Sequence, residues 1–102
     1  MNRNYNSNVS SEINNHSYIG NNTPNPFKNS TTIKYGLGIN TTTASIHIYD
    51  LQGSQITSYI LDPTQKEGIL TIAADTLSPG MYIYTLIVDN QEIATKKMIV
   101  TE

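Results

Sequence analysis

Residues 24–102 of this 102-residue chain predict an all-β fold, a small antiparallel β-sandwich of six to seven short strands. Three observations predict it. Apolar residues recur with a period of two from Thr31 onward, turn-forming residues return about every ten positions, and no stretch carries the spacing of an amphipathic helix.

The elements follow in order. Ile33, Tyr35 and Leu37 alternate with Thr32, Lys34 and Gly36, the mark of a strand with one face on a core. Ala44, Ile46 and Ile48 repeat the pattern against Ser45, His47 and Tyr49. Asp50-Leu51-Gln52-Gly53 supplies a turn, with Gly53 free to take a positive φ, and makes a hairpin with a strand over Gln55 to Leu61. In that strand Ile56 and Ile60 lie in one phase and Tyr59 and Leu61 in the other, so either both faces are covered or a bulge shifts the register. Asp62-Pro63 ends it, and a polar connection leads to a strand at Ile69 to Ala73. Pro79-Gly80 fits the centre of a type II turn. The strand Met81 to Val88 is apolar in both phases and reads as central and covered on both sides. Asp89-Asn90 turns tightly into a last strand over Glu92 to Thr101. Together these strands indicate an immunoglobulin-like sandwich.

Residues 1–23 have a different character. They are dominated by Asn and Ser, with Tyr5, Val9, Ile13, Tyr18 and Ile19 in no regular period. Such a segment buries too little apolar surface to offset the entropy of ordering, and is expected to be a disordered, flexible linker with a domain boundary at Pro24.

Composition narrows the function. Charged residues make up 14% of the chain, below the roughly 25% of an average soluble domain. With a formal charge of −2 and one adjacent basic pair, Lys96-Lys97, nothing favours nucleic acid or an anionic membrane. The chain has no cysteine, which excludes disulfides, thiolate catalysis and Cys-based zinc sites. No apolar run approaches the ~18 residues of a membrane helix. The segment Met1 to Ser11 has no apolar signal-peptide core, so the expectation is a cytosolic protein or the tail of a longer exported one.

The residues that could carry chemistry are few. His47 shares a strand face with Ser45 and Tyr49, but no carboxylate is placed to orient it and no Gly-rich nucleophile turn is present. A solvent-facing ladder is the simpler reading, and no catalytic residue is assigned. Asp50, Asp62, Asp75 and Asp89 sit in or beside turns, where Asp bonds its own backbone, and none forms a calcium-loop pattern. No metal or cofactor is expected. Tyr35, Tyr49, Tyr59, Tyr82 and Tyr84 make either a stacking platform for sugar rings or, more simply, core residues with hydroxyls at the rim.

Several segments in this order resemble the type A C-terminal sorting domain of the type IX secretion system of Bacteroidota. They are Pro24-Asn25-Pro26-Phe27, Thr32-Ile33-Lys34-Tyr35, and Ile46 through Gly53 across the first hairpin. Leu77-Ser78-Pro79-Gly80-Met81-Tyr82-Ile83-Tyr84 and the ending Lys96-Lys97-Met98-Ile99-Val100 complete the match. Pro24, Asn25, Pro26, Gly53, Gly80 and Tyr82 are its structural motif residues.

The resemblance implies a non-enzymatic sorting signal. It implies a cargo domain fused upstream, type IX translocon and sortase components at the outer membrane as partners, and passage through the periplasm to the cell surface or medium. It places translocon recognition at Lys96, Lys97, Met98, Ile99 and Val100, whose simpler reading is two core residues plus lysines guarding an edge. A sortase cut upstream of the sandwich is expected in the Asn-rich tract, with Gly20 as one unhindered position. The competing reading is a carbohydrate-binding or adhesive module without catalysis.

Overall fold

The computed structural model describes residues 16–102, so residues 1–15 of the expected linker lie outside the described residues. Among these described residues there are seven strands: β1 (Tyr18–Ile19), β2 (Ser30–Gly36), β3 (Ala44–Tyr49), β4 (Gln55–Leu61), β5 (Glu67–Ala73), β6 (Gly80–Val88) and β7 (Gln91–Val100). They form two antiparallel sheets, one ordered β1-β2-β5 and the other β4-β3-β6-β7.

Alternation in the sequence becomes the core. Ile33, Tyr35 and Leu37 from the first sheet face Ile46, Ile48, Tyr84, Leu86 and Met98 from the second, all buried. Burial of side chains of this size, at about 1.5–3 kcal/mol each, is the main force joining the sheets. Turns hold the strand order. Gly53 takes φ 90° in the β3–β4 turn, and Asp50 Oδ1 accepts the amides of Gln52 and Ser54. Asp89 and Asn90 both have positive φ, as a two-residue hairpin of this hand requires. Asp89 does not bond its own turn. Its Oδ1 accepts the amides of Thr42 and Thr43, tying the β6–β7 turn to the approach to β3.

The structure decides the β4 question in favour of a bulge. Ile48 pairs with Thr57 and Tyr49 with Gln55, leaving Ile56 as the extra residue. The outer side of β4 is open as well, since Ile60 is 90% exposed. Strand β6 is central in its sheet, but it is not covered on both sides as expected. Met81 on its outer face is exposed and Ile83 and Ile87 are half-buried, because among the described residues no further layer packs there. A 3-10 turn, Ala74–Thr76, lies in the connection between β5 and β6.

The sandwich begins before Pro24. Tyr18 pairs with Gly36 and Ile19 with Tyr35, and Ile19 is buried. Gly36 makes this possible, because a Cβ there would run into the Tyr18 ring, which lies across the bare backbone. Asn22 is buried too, donating to the Pro24 carbonyl (3.2 Å) and to Thr31 Oγ1 (3.1 Å).

Candidate recognition surface at the terminal strand

β7 runs antiparallel to β6 and alternates like any strand, so its ending Lys96-Lys97-Met98-Ile99-Val100 is divided between two faces. Met98 opposite Tyr82 and Val100 opposite Gly80 are buried in the core. Lys96 lies opposite buried Tyr84, on the inner row at the margin of the sandwich, and is half-exposed. Lys97 lies opposite Ile83 on the outer face and is exposed, as is Ile99. The adjacent lysines therefore point to opposite faces and form no joint basic patch.

The structure brings the first motif of the sandwich onto the last. Phe27 is buried and bridges Val100 in parallel register. Its amide donates to the Ile99 carbonyl at 2.9 Å, and its carbonyl accepts the Thr101 amide at 2.8 Å. Asn25 Oδ1 accepts the Ile99 amide at 2.9 Å. Pro24 and Pro26, each preceded by a cis peptide bond, shape this exposed segment. The end of β7 is thus paired on both sides, by β6 and by Asn25–Phe27. Outward-facing backbone groups alternate along a strand, so those of Lys97 and Thr95 continue the row of Ile99 and Thr101. Among the described residues nothing pairs them.

The other motif residues hold turns. Tyr82 donates its hydroxyl to the Ser78 carbonyl at 2.7 Å, fixing the Leu77–Pro79 connection. Gly80 opens β6 at φ 151°, and neither Gly53 nor Gly80 has an atom within 4 Å of a would-be Cβ, so it is backbone conformation that asks for glycine there.

Gly20 was expected in an unpaired tether. Its amide donates to the Lys34 carbonyl and its carbonyl accepts the Tyr84 hydroxyl, each at 2.8 Å. Both backbone groups are engaged because β1 docks on β2. The apolar pair Tyr18-Ile19 was the sequence signal for this, and it is too short to read alone.

The aromatic and histidine expectations separate in space. Tyr49 is on the outer face of β3, whereas Tyr59 pairs with Ile46 on the inner face, so the two form no common platform. Tyr35, Tyr82 and Tyr84 are buried. His47 Nε2 lies 3.0 Å from Ser45 Oγ and Nδ1 lies 3.1 Å from Gln55 Oε1, with the Tyr49 ring stacked at 6.2 Å. The group at Nδ1, Gln55, is a neutral amide, which cannot stabilise an imidazolium as a carboxylate does. Among the described residues no group of three His, Cys, Asp or Glu side chains is arranged to hold a metal.

These features define a class: an immunoglobulin-like sandwich whose first extended motif clips its last strand. The sequence profile described as "Secretion system C-terminal sorting domain" matches residues 23–101. The chain belongs to that family, the type IX sorting domains that its motifs resemble. No curated protein matches it. Among solved structures, it is similar to dimeric latent PorU from Porphyromonas gingivalis, with TM-score 0.69 and 19% identity over 84% of this chain. The chain spans only 9% of that PorU chain. The BSP domain of a biofilm-associated protein gives TM-score 0.59 at 9% identity, covering 82% of this chain and 15% of the other. CopC from Methylosinus trichosporium OB3b gives 0.53 at 23% identity, over 84% and 94%. At these identities the structural likenesses speak for the fold alone.

Proposed function

We propose that residues 17–102 are a C-terminal sorting signal that carries an attached cargo through the type IX translocon across the outer membrane. The module is non-catalytic, and a sortase cut upstream of it leaves the cargo attached to the cell surface or released. The family match supports this reading, and so does the clip between Asn25–Phe27 and Ile99–Thr101. A translocon that accepts unrelated cargos needs a surface that stays the same, and a rigid appended sandwich provides one. The free edge at Thr95 and Lys97, with Lys96 at the inner margin, is the recognition element. Met98 and Val100 act by holding that strand in place. Since both backbone groups of Gly20 are paired, the cut falls before Ser17.

The test is a fusion of residues 16–102 behind a periplasmic reporter in a type IX-competent cell. Surface or extracellular reporter is expected. Deleting Lys96 to Glu102 strands it in the periplasm, but that deletion also removes core residues. The Lys96→Ala, Lys97→Ala double variant keeps the core, and a reporter sorted normally by it would refute the role given to the terminal strand. The competing adhesive module now rests on Tyr49 alone, because Tyr59 faces inward. Glycan binding lost on Tyr49→Ala would favour it.

A further inference from the structure

The two sheets end in four edge strands, and three of them carry a device against strand addition. β1 is two residues long among the described residues. β4 is bulged at Ile56. β7 has an inward-facing Lys96 and is clipped by Asn25–Phe27. Short length, bulges, inward charges and cover are the means by which sheets avoid pairing with other chains. Among the described residues β5 has none of them. It is seven residues long, Glu67-Gly68-Ile69-Leu70-Thr71-Ile72-Ala73, without lysine, proline or register shift. Ile69 on its outer face is 61% exposed.

The register shows which backbone groups are free. Leu37 N–H bonds the Lys66 carbonyl and Ala74 N–H bonds the Asn29 carbonyl, so even-numbered residues of this stretch point to β2. Glu67, Ile69, Thr71 and Ala73 therefore turn their amides and carbonyls outward. We propose that this edge is a self-association surface, on which a second copy pairs antiparallel about a two-fold axis at Leu70.

That register is self-complementary. Ile69 faces Thr71 of the second copy and Glu67 faces its Ala73 as hydrogen-bonded pairs, so the outward-facing backbone groups of the two strands meet and about eight backbone hydrogen bonds form. The two Glu67 carboxylates fall at opposite ends, about 20 Å apart, beyond the ~8 Å screening length of physiological salt. Exposed Ile69 gains a cross-strand neighbour, and the three-stranded sheets merge into one that runs through both molecules. A second copy is the occupant this strand fits, because the two-fold register brings outward-facing backbone groups of both strands together and sets the sole charge, Glu67, opposite Ala73 and not opposite itself.

Sedimentation of the 102-residue chain over rising concentration tests this. A reversible dimer is expected. Ile69→Lys should weaken it by about tenfold, since the two new lysines occupy diagonal positions about 7–8 Å apart and bring like charges to one face, and the substitution lies at an exposed position. Leu70→Cys, the sole thiol in the chain, should cross-link the dimer under mild oxidation, because a facing non-hydrogen-bonded pair has disulfide spacing. A chain monomeric at millimolar concentration overturns the proposal. So does a dimer indifferent to Ile69→Lys, or one lost instead on Ser58→Lys in β4, or a folded Leu70→Cys dimer that does not cross-link.

Discussion

The Tyr84 hydroxyl donates a 2.8 Å hydrogen bond to the carbonyl of Gly20, joining residues 64 apart in the chain. Tyr84 is fully buried in the middle of β6, so its ring fills the core while its hydroxyl holds the segment that carries β1. Replacing it by Phe keeps the packing and leaves the Gly20 carbonyl without its partner. Tyr84→Phe should cost about 1–2 kcal/mol in urea unfolding. It should also open the Gly20 region to limited proteolysis at sites the parent protects, and unchanged protection would show that β1 is held by its strand pairing alone.

The clip on the terminal strand gives a second expectation. Phe27→Ala removes a buried aromatic ring and should cost about 3–5 kcal/mol. Asn25→Ala is milder, and removes the acceptor of the Ile99 amide. Hydrogen exchange at Ile99 should accelerate in Asn25→Ala while Met98, bonded toward β6, stays protected. Uniform acceleration of both amides would mean that the clip holds the whole strand and not its end.

Acid stability depends on two aspartates. Asp89 is held below the usual carboxylate range by the amides of Thr43 and Thr42, and Asp62 by the hydroxyl and amide of Thr64. Lowered folded-state values mean that the stability they contribute is complete above the unfolded value near ~3.9, and is lost as pH falls through the lower folded ones. Asp89→Asn and Asp62→Asn should each lower Tm at pH 7, with the deficit closing in strong acid. A deficit that persists there would point to lost geometry instead of lost charge.

Alkaline pH acts on Tyr84. Burial pushes its phenol up, against the opposing pull of the Asn22 amide. A raised folded value means its contribution is complete below ~10 and is lost as pH rises through the folded value. Tyr84→Phe should therefore flatten the decline of Tm above pH ~10, read by thermal melts across that range.

Glycines separate two physical causes. At Gly68 a Cβ would run into the Tyr35 hydroxyl and ring inside the core, so Gly68→Ala should cost about 1–3 kcal/mol by overpacking. At Gly53 there is open space and φ 90°, so Gly53→Ala should cost about 1–2 kcal/mol through backbone strain. In a Tyr35→Ala background, where the hydroxyl and the ring carbons that this Cβ would meet are all gone, Gly68→Ala should cost little further, while Gly53→Ala keeps its cost.

Local pattern carried much of this protein. Ile33, Ile46, Ile48 and Leu86 were legible as core because a strand repeats every second residue, and Gly53, Asp89 and Asn90 as turns because positive φ selects few residue types. The motif ends, Pro24 to Phe27 and Lys96 to Val100, were legible as family features and not as partners. Sequence alone determined that the chain is an all-β sandwich and to which family it is similar. Only the tertiary structure decided that β1 docks and pairs Gly20, that Asn25 and Phe27 close the end of β7, and that β5 is left unguarded among the described residues. Each of these is a pairing between segments distant in the chain, or an edge left by the order of strands. Neither is set by spacing along the chain, since both depend on which strands the packed sheets bring side by side.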